Sequence, residues 1–577
     1  MSPPTFTILI LGGYGTFGGR LVRLLADEPL LTIMIAGRSL EAAKAFRAGV
    51  EAQAMLVVEQ FDRDGDVDAQ LRALMPSLLV DASGPFQRYG DDPYRLVKAC
   101  IGLGIHYLDL ADGAEFVAGI AQFDEEARRQ RVVALSGASS FPLLTAAAVR
   151  HLAAGMHRME KVTAGIAPSP YARIGRNVVR AIASYAGKPV RGADGSVIGY
   201  GLTQSRRYVI APPGRLPLRR RRFSLIDAPD LRLLPVAWPT LRAVWTGAGT
   251  LPAWRQTLLV GLAWLVRLKL FPPLGAFAPV MGGILNRIRW GEDRGGMFVT
   301  VAGPAIDGSL VERSWHMIAD GDDGPFIPAI AAELIIRRCV AGIVPHVGAR
   351  PAIGDVDLDE YESAFARRAI VSGTRHSLPG ETPLYRRLLG EAWETLPLEI
   401  RAMHSVEGNL EAEGMAEIER GRSPVAMLIC ALFRFPRSGA DVPVNVTFRA
   451  RRRGETWRRR FGTRAFSSRQ SEGRGRFERL LVERFGPFSF GLALVREVGQ
   501  LRLILRGWNF LGIPLPRVLA PRSQAYEFVS EGRFGFHVEL SHPLAGSIIR
   551  YSGWLVPRAG AAVEPRQENA PPSDGGA

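Results

Sequence analysis

The chain has 577 residues, more than the roughly 250–300 that share one hydrophobic core, so two or three domains are expected. A composition of 47% hydrophobic and 22% charged residues is typical of a folded globular protein and excludes a disordered chain. The net charge of +16 includes arginine clusters at 206–222 and 449–460, which either bind anionic lipid or nucleic acid or form a solvated basic face. No helix-turn-helix, zinc-finger or aromatic RNA-binding signature accompanies them, which argues against nucleic acid.

The cysteines and the amino-terminal residues indicate the cellular compartment. Cys100, Cys339 and Cys430 are widely spaced and odd in number, which excludes a disulfide framework. The apolar run at 8–11 has only four residues and leads into glycines, whereas a signal peptide needs roughly 7–15 apolar residues. These features predict a cytoplasmic protein whose apolar run is a buried first strand.

The first 140 residues alternate between short apolar runs and helical patterns, which indicates a parallel sheet with crossover helices. Ser39 is a plausible N-cap for one of these helices. Six strand–helix units in this order predict a doubly wound Rossmann domain over 1–140. The predicted strands are 6–11, 31–36, 54–60, 78–81, 106–110 and 132–135, and the predicted helices are 16–26, 40–48, 66–75, 93–102 and 114–130.

The pattern of the middle of the chain predicts an α+β second domain over 141–345. Its helix at 324–340 is expected to return to the first domain, the stretch 190–245 reads as irregular, and 346–382 reads as a linker. The other predicted elements are helices at 143–154 and 175–186, a strand at 161–167, and a pair of strands at 295–303 and 309–319.

The last third of the chain contains strand-like runs separated by Gly, Pro and Ser. They predict a mostly antiparallel β domain over 383–557, so the whole chain is of the α/β class with an α+β and a β-rich domain following the first. The polar, Pro-rich stretch 558–577 is predicted to be disordered. The predicted strands are 425–435, 442–450, 476–485 and 501–510.

One apolar stretch, 257–285, is long enough for a bilayer, which takes about 20 residues. Arg267, Lys269 and the Pro272–Pro273 pair interrupt it, and each central charge costs roughly 2.5–3.5 kcal/mol on insertion, so a transmembrane span is not expected. The stretch is either a peripheral membrane contact on the inner face or a buried helix pair.

A glycine-rich motif with chemical meaning follows the first predicted strand. Gly13, Gly15 and Gly18 satisfy G-x-G-x-x-G between a strand and a helix, which is the context of a dinucleotide-binding turn. The first glycine makes the turn, the second lets a pyrophosphate approach, and the third packs the helix on the strand. With Gly12, Tyr14, Thr16 and Phe17, these residues are predicted to bind the cofactor diphosphate.

The end of the second strand discriminates between NAD and NADP. An acidic residue there binds the ribose 2′-hydroxyl of NAD, whereas an arginine accommodates the 2′-phosphate of NADP. Here Arg38 and Ser39 follow the strand and no acid is present, which favours NADP over NAD. The alternative for Arg38 is a solvent-facing residue at a strand end.

The fourth strand leads into Ser83, Gly84 and Pro85, which are predicted to pass close to the nicotinamide ribose. No Tyr-x-x-x-Lys dyad follows strand five, so the catalytic residue is not identified. Cys100 is expected in the core, and the histidines lack metal-ligand spacing. Candidate proton donors are Tyr89, His106, Tyr107 and Asp109, with His106 and Tyr107 more simply packed strand residues.

Several of these segments together resemble the saccharopine dehydrogenase-like family. They are GGYGTFGGRL (12–21), Gly37–Ser39, Gly84–Phe86, ACIGLGIHYLDLAD (99–112) and SGASSFPLLTAAAV (136–149). Over 5–345 the resemblance implies a Rossmann domain with an α+β insertion, and NAD(P)-dependent hydride transfer. The sequence DLADGAEF (109–116) departs from the Gly-Glu that many members have, which puts an amino-acid substrate in doubt. Around 457–470 the chain resembles an uncharacterised bacterial domain fused to such reductases.

Two functional hypotheses follow from these observations. The first is an NADP-dependent oxidoreductase that acts on a small, lipophilic substrate. The second is a non-catalytic NADP-binding sensor or scaffold at the membrane surface, supported by the absence of a recognisable acid–base residue. Neither the substrate nor the oligomeric state is determined by the sequence.

Overall fold

The structure is a computed structural model that describes residues 6–87, 89–172, 175–250, 252–287, 290–377 and 382–558. The chain divides into two compact units. The first unit is Met1–Pro212 with Leu218–His376, and the second is Pro213–Pro217 with Ser377–Ala577. The tail predicted to be disordered lies outside the described residues from 559 onward.

The first unit contains two seven-stranded sheets and one short hairpin. Its strands are β1 Phe6–Leu11, β2 Leu31–Gly37, β3 Met55–Gln60, β4 Leu78–Asp81, β5 His106–Asp109, β6 Val133–Ser136, β7 Lys161–Ala167, β8 Pro189–Arg191, β9 Val197–Tyr200, β10 Ser205–Tyr208, β11 Arg221–Leu225, β12 Ala243–Ala248, β13 Gly295–Pro304, β14 Leu310–Ala319, β15 Gly348–Pro351 and β16 Ile370–His376. Its helices are α1 Gly18–Leu25, α2 Leu40–Ala48, α3 Val67–Leu74, α4 Arg95–Leu103, α5 Ala114–Gly119, α6 Asp124–Arg129, α7 Thr145–Ala153, α8 Arg176–Tyr185, α9 Asp230–Ala237, α10 Ala253–Arg267, α11 Ala278–Arg287, α12 Ile327–Val340 and α13 Leu358–Phe365.

The first sheet is parallel throughout, in the order β15-β6-β5-β4-β1-β2-β3. Its central strands are almost wholly buried, because helices cover both faces and the strands are nearly continuous apolar runs. The strand order reverses at β1 and β4, and this is where doubly wound sheets open a crevice at their carboxyl edge. The predicted Rossmann architecture is confirmed, and all six predicted strands lie within one residue of their predicted ends.

The second sheet is mixed, in the order β10-β11-β12-β7-β13-β14-β16. The predicted pairing of the 295–303 and 309–319 strands is confirmed, since β13 and β14 run antiparallel over their full length. The helix α12 returns to the first sheet as predicted. Its Arg337 donates to the Leu24 carbonyl oxygen at 2.7 Å and pairs with Asp27 at 2.6 Å.

Two stretches that the sequence suggested to be irregular contain regular elements. The stretch 190–245 holds β9 to β12 and α9, and 346–382 holds β15, α13 and β16. Two of these strands, β10 (SRRY) and β15 (GARP), are short and carry arginine or proline, so they show little alternation of their own. Their hydrogen bonds come from pairing with β11 and β6 of the two sheets.

The second unit is dominated by one antiparallel sheet that closes on itself, because β22 pairs with both β21 and β23. The mostly antiparallel C-terminal fold is thereby confirmed. Its strands are β17 Asn409–Arg420, β18 Gly439–Arg451, β19 Gly454–Phe461, β20 Arg464–Glu472, β21 Leu481–Phe485, β22 Phe488–Glu497, β23 Gln500–Phe510, β24 Ile513–Leu515, β25 Arg522–Ser530, β26 Arg533–His542 and β27 Gly546–Pro557, and its helices are α14 Leu384–Leu389, α15 Leu398–His404 and α16 Pro424–Leu432.

Three element predictions were wrong. The run 425–435 forms the helix α16, where Ser423 caps the first turn by accepting from the Ala426 N–H at 3.1 Å. An uninterrupted apolar run has no periodicity that distinguishes a helix from a strand. The predicted helix 114–130 is broken into α5, a 3-10 turn and α6, and only β21 of the predicted strand 476–485 is extended.

The apolar stretch 257–285 forms most of α10 and α11. In the ranges that the structure describes, no helix is both long and apolar enough to cross a membrane. The buried side of α10 holds Arg255 and Gln256, whereas Trp254, Leu258 and Leu265 on the same helix are exposed. The expected alternative of a simply buried helix pair therefore does not describe α10.

Candidate functional site

The turn between β1 and α1 lies at the carboxyl edge of the parallel sheet and contains the glycine motif. Gly12 has a φ of +79°, a conformation that favours glycine. A Cβ on Gly18 would lie 2.3 Å from the Gly12 carbonyl oxygen, so α1 starts this close to the turn only because residue 18 is glycine. Gly15 is exposed, and a Cβ there would approach only the Gly12 carbonyl group. The turn therefore presents bare backbone to solvent at Gly15.

The start of α1 offers unpaired hydrogen-bond donors. Within the described ranges, the backbone N–H groups of Thr16, Phe17 and Gly18 have no hydrogen-bond partner. Helix N-termini leave such groups free and carry partial positive charge, so they bind phosphate groups well. Gly13, the first glycine of the motif, is buried beneath the turn against Ile35, where the close packing of strand and turn leaves no room for a side chain.

The end of β2 lies beside this turn. Tyr14 extends across Gly37, and its hydroxyl accepts a hydrogen bond from the Ser39 N–H at 3.0 Å. The Ser39 hydroxyl accepts from the Ala42 N–H at 3.2 Å, so its predicted N-cap role is confirmed. Arg38 is exposed, and in the part of the chain that the structure describes its guanidinium pairs with no carboxylate. Its charge is therefore available to an anion beside the turn.

Residues at the start of α8 contact both predicted cofactor loops, which the sequence did not indicate. The Asn177 side chain donates to the Gly84 carbonyl oxygen at 2.6 Å and more weakly to that of Ser83 at 3.4 Å. A Cβ on Gly175 would lie 2.6 Å from the Thr16 hydroxyl oxygen. The α+β part of the first unit thus borders the carboxyl edge of the parallel sheet.

A polar network occupies the carboxyl end of β4. The buried Asp81 accepts from the Ser83 N–H at 2.9 Å, from the Ser83 hydroxyl at 2.7 Å and from the Tyr89 hydroxyl. The Arg63 guanidinium lies 4.0 Å from the centre of the Tyr89 ring and donates to the Ser83 hydroxyl at 3.2 Å. Burial and then the Asp81 carboxyl raise the pKa of Tyr89 well above its usual value. Tyr89 therefore keeps its proton, which its hydroxyl donates to Asp81 in a hydrogen bond.

The carboxyl end of β5 lies next to this network, because Asp81 and Asp109 are partners in the sheet register. Asp109 is fully buried and accepts from the Gly137 N–H at 2.7 Å and the Ala111 N–H at 2.9 Å. Burial raises the pKa of Asp109 to about 7, which these two hydrogen bonds only partly oppose. Two predicted proton-donor candidates, Tyr89 and Asp109, thus lie on neighbouring strand ends.

A second acidic group that the sequence analysis missed follows β5. Gln87 donates to Asp112 at 3.0 Å, and burial raises the pKa of both Asp112 and Asp227. Burial and then these two carboxylates also raise the pKa of Tyr185. Asp112 comes from the first sheet and Asp227 from the second, so only the folded unit brings them together. The departure DLADGAEF was the one signal in the sequence that this loop is unusual.

The remaining chemical candidates lie away from this edge. His106 and Tyr107 start β5 at its amino end, where His106 Nδ1 accepts from the Val133 N–H at 3.2 Å and Tyr107 is buried. Cys100 is buried in α4, and burial raises the pKa of its thiol, so it has no nucleophilic character. Among the described residues, no three His, Cys, Asp or Glu side chains are arranged to hold a metal ion.

A cavity of about 430 Å³ lies beside the carboxyl end of β15. Its lining is largely apolar and comes from α5, α9 and the turn between β8 and β9, with Arg191 and Arg232 as its charged members. The Arg232 Nε is buried and has no hydrogen-bond partner within the described residues. Leu233 in the cavity wall belongs to the same apolar cluster as Phe86 and Ala111, which follow β4 and β5.

The comparisons with known proteins address both ends of the chain. Residues 8–137 match the family model of the saccharopine dehydrogenase NADP binding domain. Residues 396–555 match a domain of unknown function, DUF4166. No curated protein sequence matches the chain.

Solved structures with related backbones are dehydrogenases and reductases. Apo saccharopine dehydrogenase (L-Glu forming) from Saccharomyces cerevisiae is 12% identical, with a TM-score of 0.45 over 64% of this chain and 100% of that one. The WlbA dehydrogenase from Thermus thermophilus with NAD and alpha-ketoglutarate is 13% identical, with a TM-score of 0.26 over 63% of this chain and 93% of that one. Biliverdin reductase from Synechocystis with biliverdin and NADP+ is 11% identical, with a TM-score of 0.27 over 63% of this chain and 96% of that one.

These scores are too low to carry an argument about function, so the family match and the geometry of the turn are the basis for an assignment. The matched range 8–137 contains β1 to β6, the glycine turn and both predicted cofactor loops. Residues 8–137 are therefore an NAD(P)-binding domain of the saccharopine dehydrogenase type, joined in this chain to a C-terminal domain of unknown function.

Proposed function

We propose that the protein is an oxidoreductase that uses NADP(H) to reduce or oxidise a small, lipophilic substrate. The observation that carries the proposal is the row of free N–H groups at Thr16, Phe17 and Gly18 beside the exposed Gly15. They lie where doubly wound sheets bind the diphosphate of a dinucleotide. The residues assigned to the cofactor are Gly12, Gly13, Tyr14, Gly15, Thr16, Phe17, Gly18, Arg38, Ser39, Ser83, Gly84 and Pro85.

The reaction needs few groups from the protein itself. Bound NADP(H) supplies or accepts the hydride, and the protein orients it and excludes water. We assign the proton transfer that accompanies it to the Tyr89 hydroxyl, which Asp81 and Arg63 hold in one position. Burial raises the pKa of the neighbouring Asp109 to about 7, so this strand end carries less negative charge than an ordinary carboxylate would give it.

The proposed preference for NADP depends on Arg38, and a substitution that reverses the charge of Arg38 tests this preference. Arg38→Asp is expected to weaken NADPH binding by about 100-fold while changing NADH binding less than about threefold, because only NADPH carries the 2′-phosphate. Tryptophan-to-nicotinamide energy transfer or isothermal titration measures both affinities. Arg72→Asp, at an exposed position on α3, is the matched control. Equal losses for the two nucleotides would remove the NADP preference.

A lipophilic substrate is supported by the walls of the cavity beside β15. Ala118, Leu233, Val236 and Ile353 line it with carbon, and Arg232 adds a buried donor that an acidic or carbonyl oxygen of the substrate would pair with. Binding of a hydrocarbon group inside such walls is favoured by a transfer free energy of about 25 cal/mol for each Å² of apolar surface removed from water.

Peripheral attachment to the inner face of the membrane is supported by α10. Trp254, Leu258, Leu265 and Leu268 recur at helical spacing on its exposed side. The buried side instead carries Gln256, whose amide donates to the Ser224 hydroxyl at 2.7 Å. The sequence from 231 to 291 contains no Asp or Glu but includes Arg267 and Lys269. An apolar stripe with only positive charge around it is typical of helices that lie on anionic lipid.

Mass spectrometry of compounds retained by the purified chain tests the reaction and its substrate together. We expect an NADP species and an organic compound with a long apolar part, whose addition then changes NADPH absorbance at 340 nm. A retained nucleotide without turnover of the co-purified compound would favour the sensor alternative. Retained polar amino acids would contradict the lipophilic substrate.

A further inference from the structure

The C-terminal unit has an exposed apolar surface at one end of its closed sheet. In α16, Ala426 and Cys430 are buried, and the Cys430 thiol contacts the Ile548 carbonyl oxygen of β27 at 3.4 Å. The opposite side of α16 carries Val425, Leu428 and Leu432 at helical spacing, and the last two are 70% and 72% exposed. This side of α16 has no partner within the described residues of the unit.

A second segment extends the same surface. The ring centre of Phe433, directly after α16, lies 5.6 Å from that of Phe488. The ring centre of Phe488 lies 5.0 Å from that of Phe510 at the end of β23. The ring contacts connect α16 to the loops around β24. These loops expose Leu511, Ile513, Val518 and Leu519, of which Leu511 is 70% and Val518 78% exposed. We call the exposed side chains of α16 and of 510–519 the apolar end of the C-terminal unit.

Within the two segments that form the apolar end, every charged side chain is basic. Residues 421–440 contain Arg422, Arg434 and Arg437 but no Asp or Glu, and 498–526 likewise lacks acidic residues; the exposed Asp441 directly follows the first segment. Arg434 and Arg437 are exposed and, within the described residues, pair with no carboxylate. Two copies of the chain placed face to face here would bring like charges together, which opposes self-association. Exposed apolar segments whose charged side chains are all arginine instead complement an anionic lipid headgroup layer.

We propose that the apolar end of the C-terminal unit docks onto an anionic phospholipid bilayer. The leucine and isoleucine side chains enter the boundary between headgroups and acyl chains, and the arginines pair with lipid phosphates. The C-terminal domain is thereby a membrane-targeting module. This proposal stands independently of cofactor binding and of α10, since it uses residues of the second unit alone.

Vesicle sedimentation of the full chain tests the proposal. Wild type is expected to bind vesicles of phosphatidylglycerol and phosphatidylcholine at least about tenfold more tightly than phosphatidylcholine alone at low salt. The variant Leu428→Ser/Leu432→Ser/Leu511→Ser/Ile513→Ser is expected to lose at least about 90% of that binding. All four positions are exposed, so an unchanged melting temperature and NADPH affinity serve to verify folding.

Val498→Ser is the matched control, because Val498 is 97% exposed in the turn at the opposite end of β22 and β23. It is expected to bind vesicles like wild type. Vesicle binding by the fourfold variant equal to wild type would overturn the proposal, and so would equal binding to neutral vesicles. A wild-type dimer in light scattering that the fourfold substitution dissociates would show an interface between copies and would also overturn it. Loss of binding on Leu258→Ser/Leu265→Ser, with the fourfold variant binding like wild type, would assign the contact to α10 instead.

Discussion

Replacing Gly15 with aspartate is expected to lower the affinity for NADPH at least about 100-fold, because it places a carboxylate where the diphosphate approaches the free N–H groups of α1. Gly15 lacks a positive φ, and a Cβ there would meet only the Gly12 carbonyl group, at 3.0 Å from its oxygen, so the turn must shift by a few tenths of an ångström to admit the side chain. The loss of binding is therefore expected without loss of the fold. Fluorescence titration gives the affinity, and thermal unfolding verifies the fold.

Gly102→Asp is the matched control for this experiment. Gly102 lies exposed on α4 of the same domain, and a Cβ there would meet nothing within 4 Å. Its substitution adds the same charge to the same domain away from the turn, so NADPH affinity is expected to stay within about twofold. If Gly15→Asp binds NADPH like wild type, the diphosphate does not lie on this turn and the proposed function fails with it.

Asp109→Asn is expected to remove a pH dependence of stability between about pH 4 and pH 7. The pKa of Asp109 is about 7 in the folded protein, against 3.8 for an unperturbed carboxyl. The folded state therefore holds a proton that the unfolded state releases, so the free energy of unfolding falls as pH rises through this window and is constant above it. Three pKa units at 1.36 kcal/mol each bound the effect at about 4 kcal/mol.

The asparagine variant has an internal control in acid. At pH 4 both side chains are neutral and both can accept from Gly137 and Ala111, so the two proteins are expected to be equally stable. At pH 8 the variant is expected to be the more stable one. Urea unfolding followed by circular dichroism at five pH values measures the difference. Asp230, whose pKa is also about 7, is present in both proteins, so its contribution to the pH dependence of stability cancels in the difference between them. If the free energies of unfolding of the two proteins changed in parallel with pH, a raised pKa of Asp109 would be contradicted.

The arrangement of the carboxyl edge suggests why buried acids surround the cofactor site. Asp81 and Asp109 end neighbouring strands and are fully buried. Burial raises the pKa of both. Acids in this environment position Ser83, Tyr89 and backbone donors through hydrogen bonds while carrying less negative charge than they would in water. The carboxyl edge of the sheet therefore repels an anionic dinucleotide less than the same number of fully ionised carboxylates would.

The sequence predicted the strands and most helices of the nucleotide-binding domain closely, because its central strands are buried on both faces and its longer helices have one apolar side. The prediction failed where an element depends on its neighbours for stability. The short, arginine-bearing β10 and the proline-ended β15 are held by pairing with β11 and β6. In α16 the uniform apolar composition concealed the helix that Ser423 and Pro424 start.

The sequence by itself determined the glycine turn and the basic end of β2, because these signals depend on neighbouring residues of one strand–turn–helix unit. Only the tertiary structure decided which acidic and phenolic groups meet, since Asp112 and Asp227 come from different sheets and are 115 positions apart in the chain. The same holds for the apolar end of the C-terminal unit, where Phe433, Phe488 and Phe510 come together from separate elements. Local patterns encode local backbone geometry, whereas a site made by distant segments exists only after the sheets have paired.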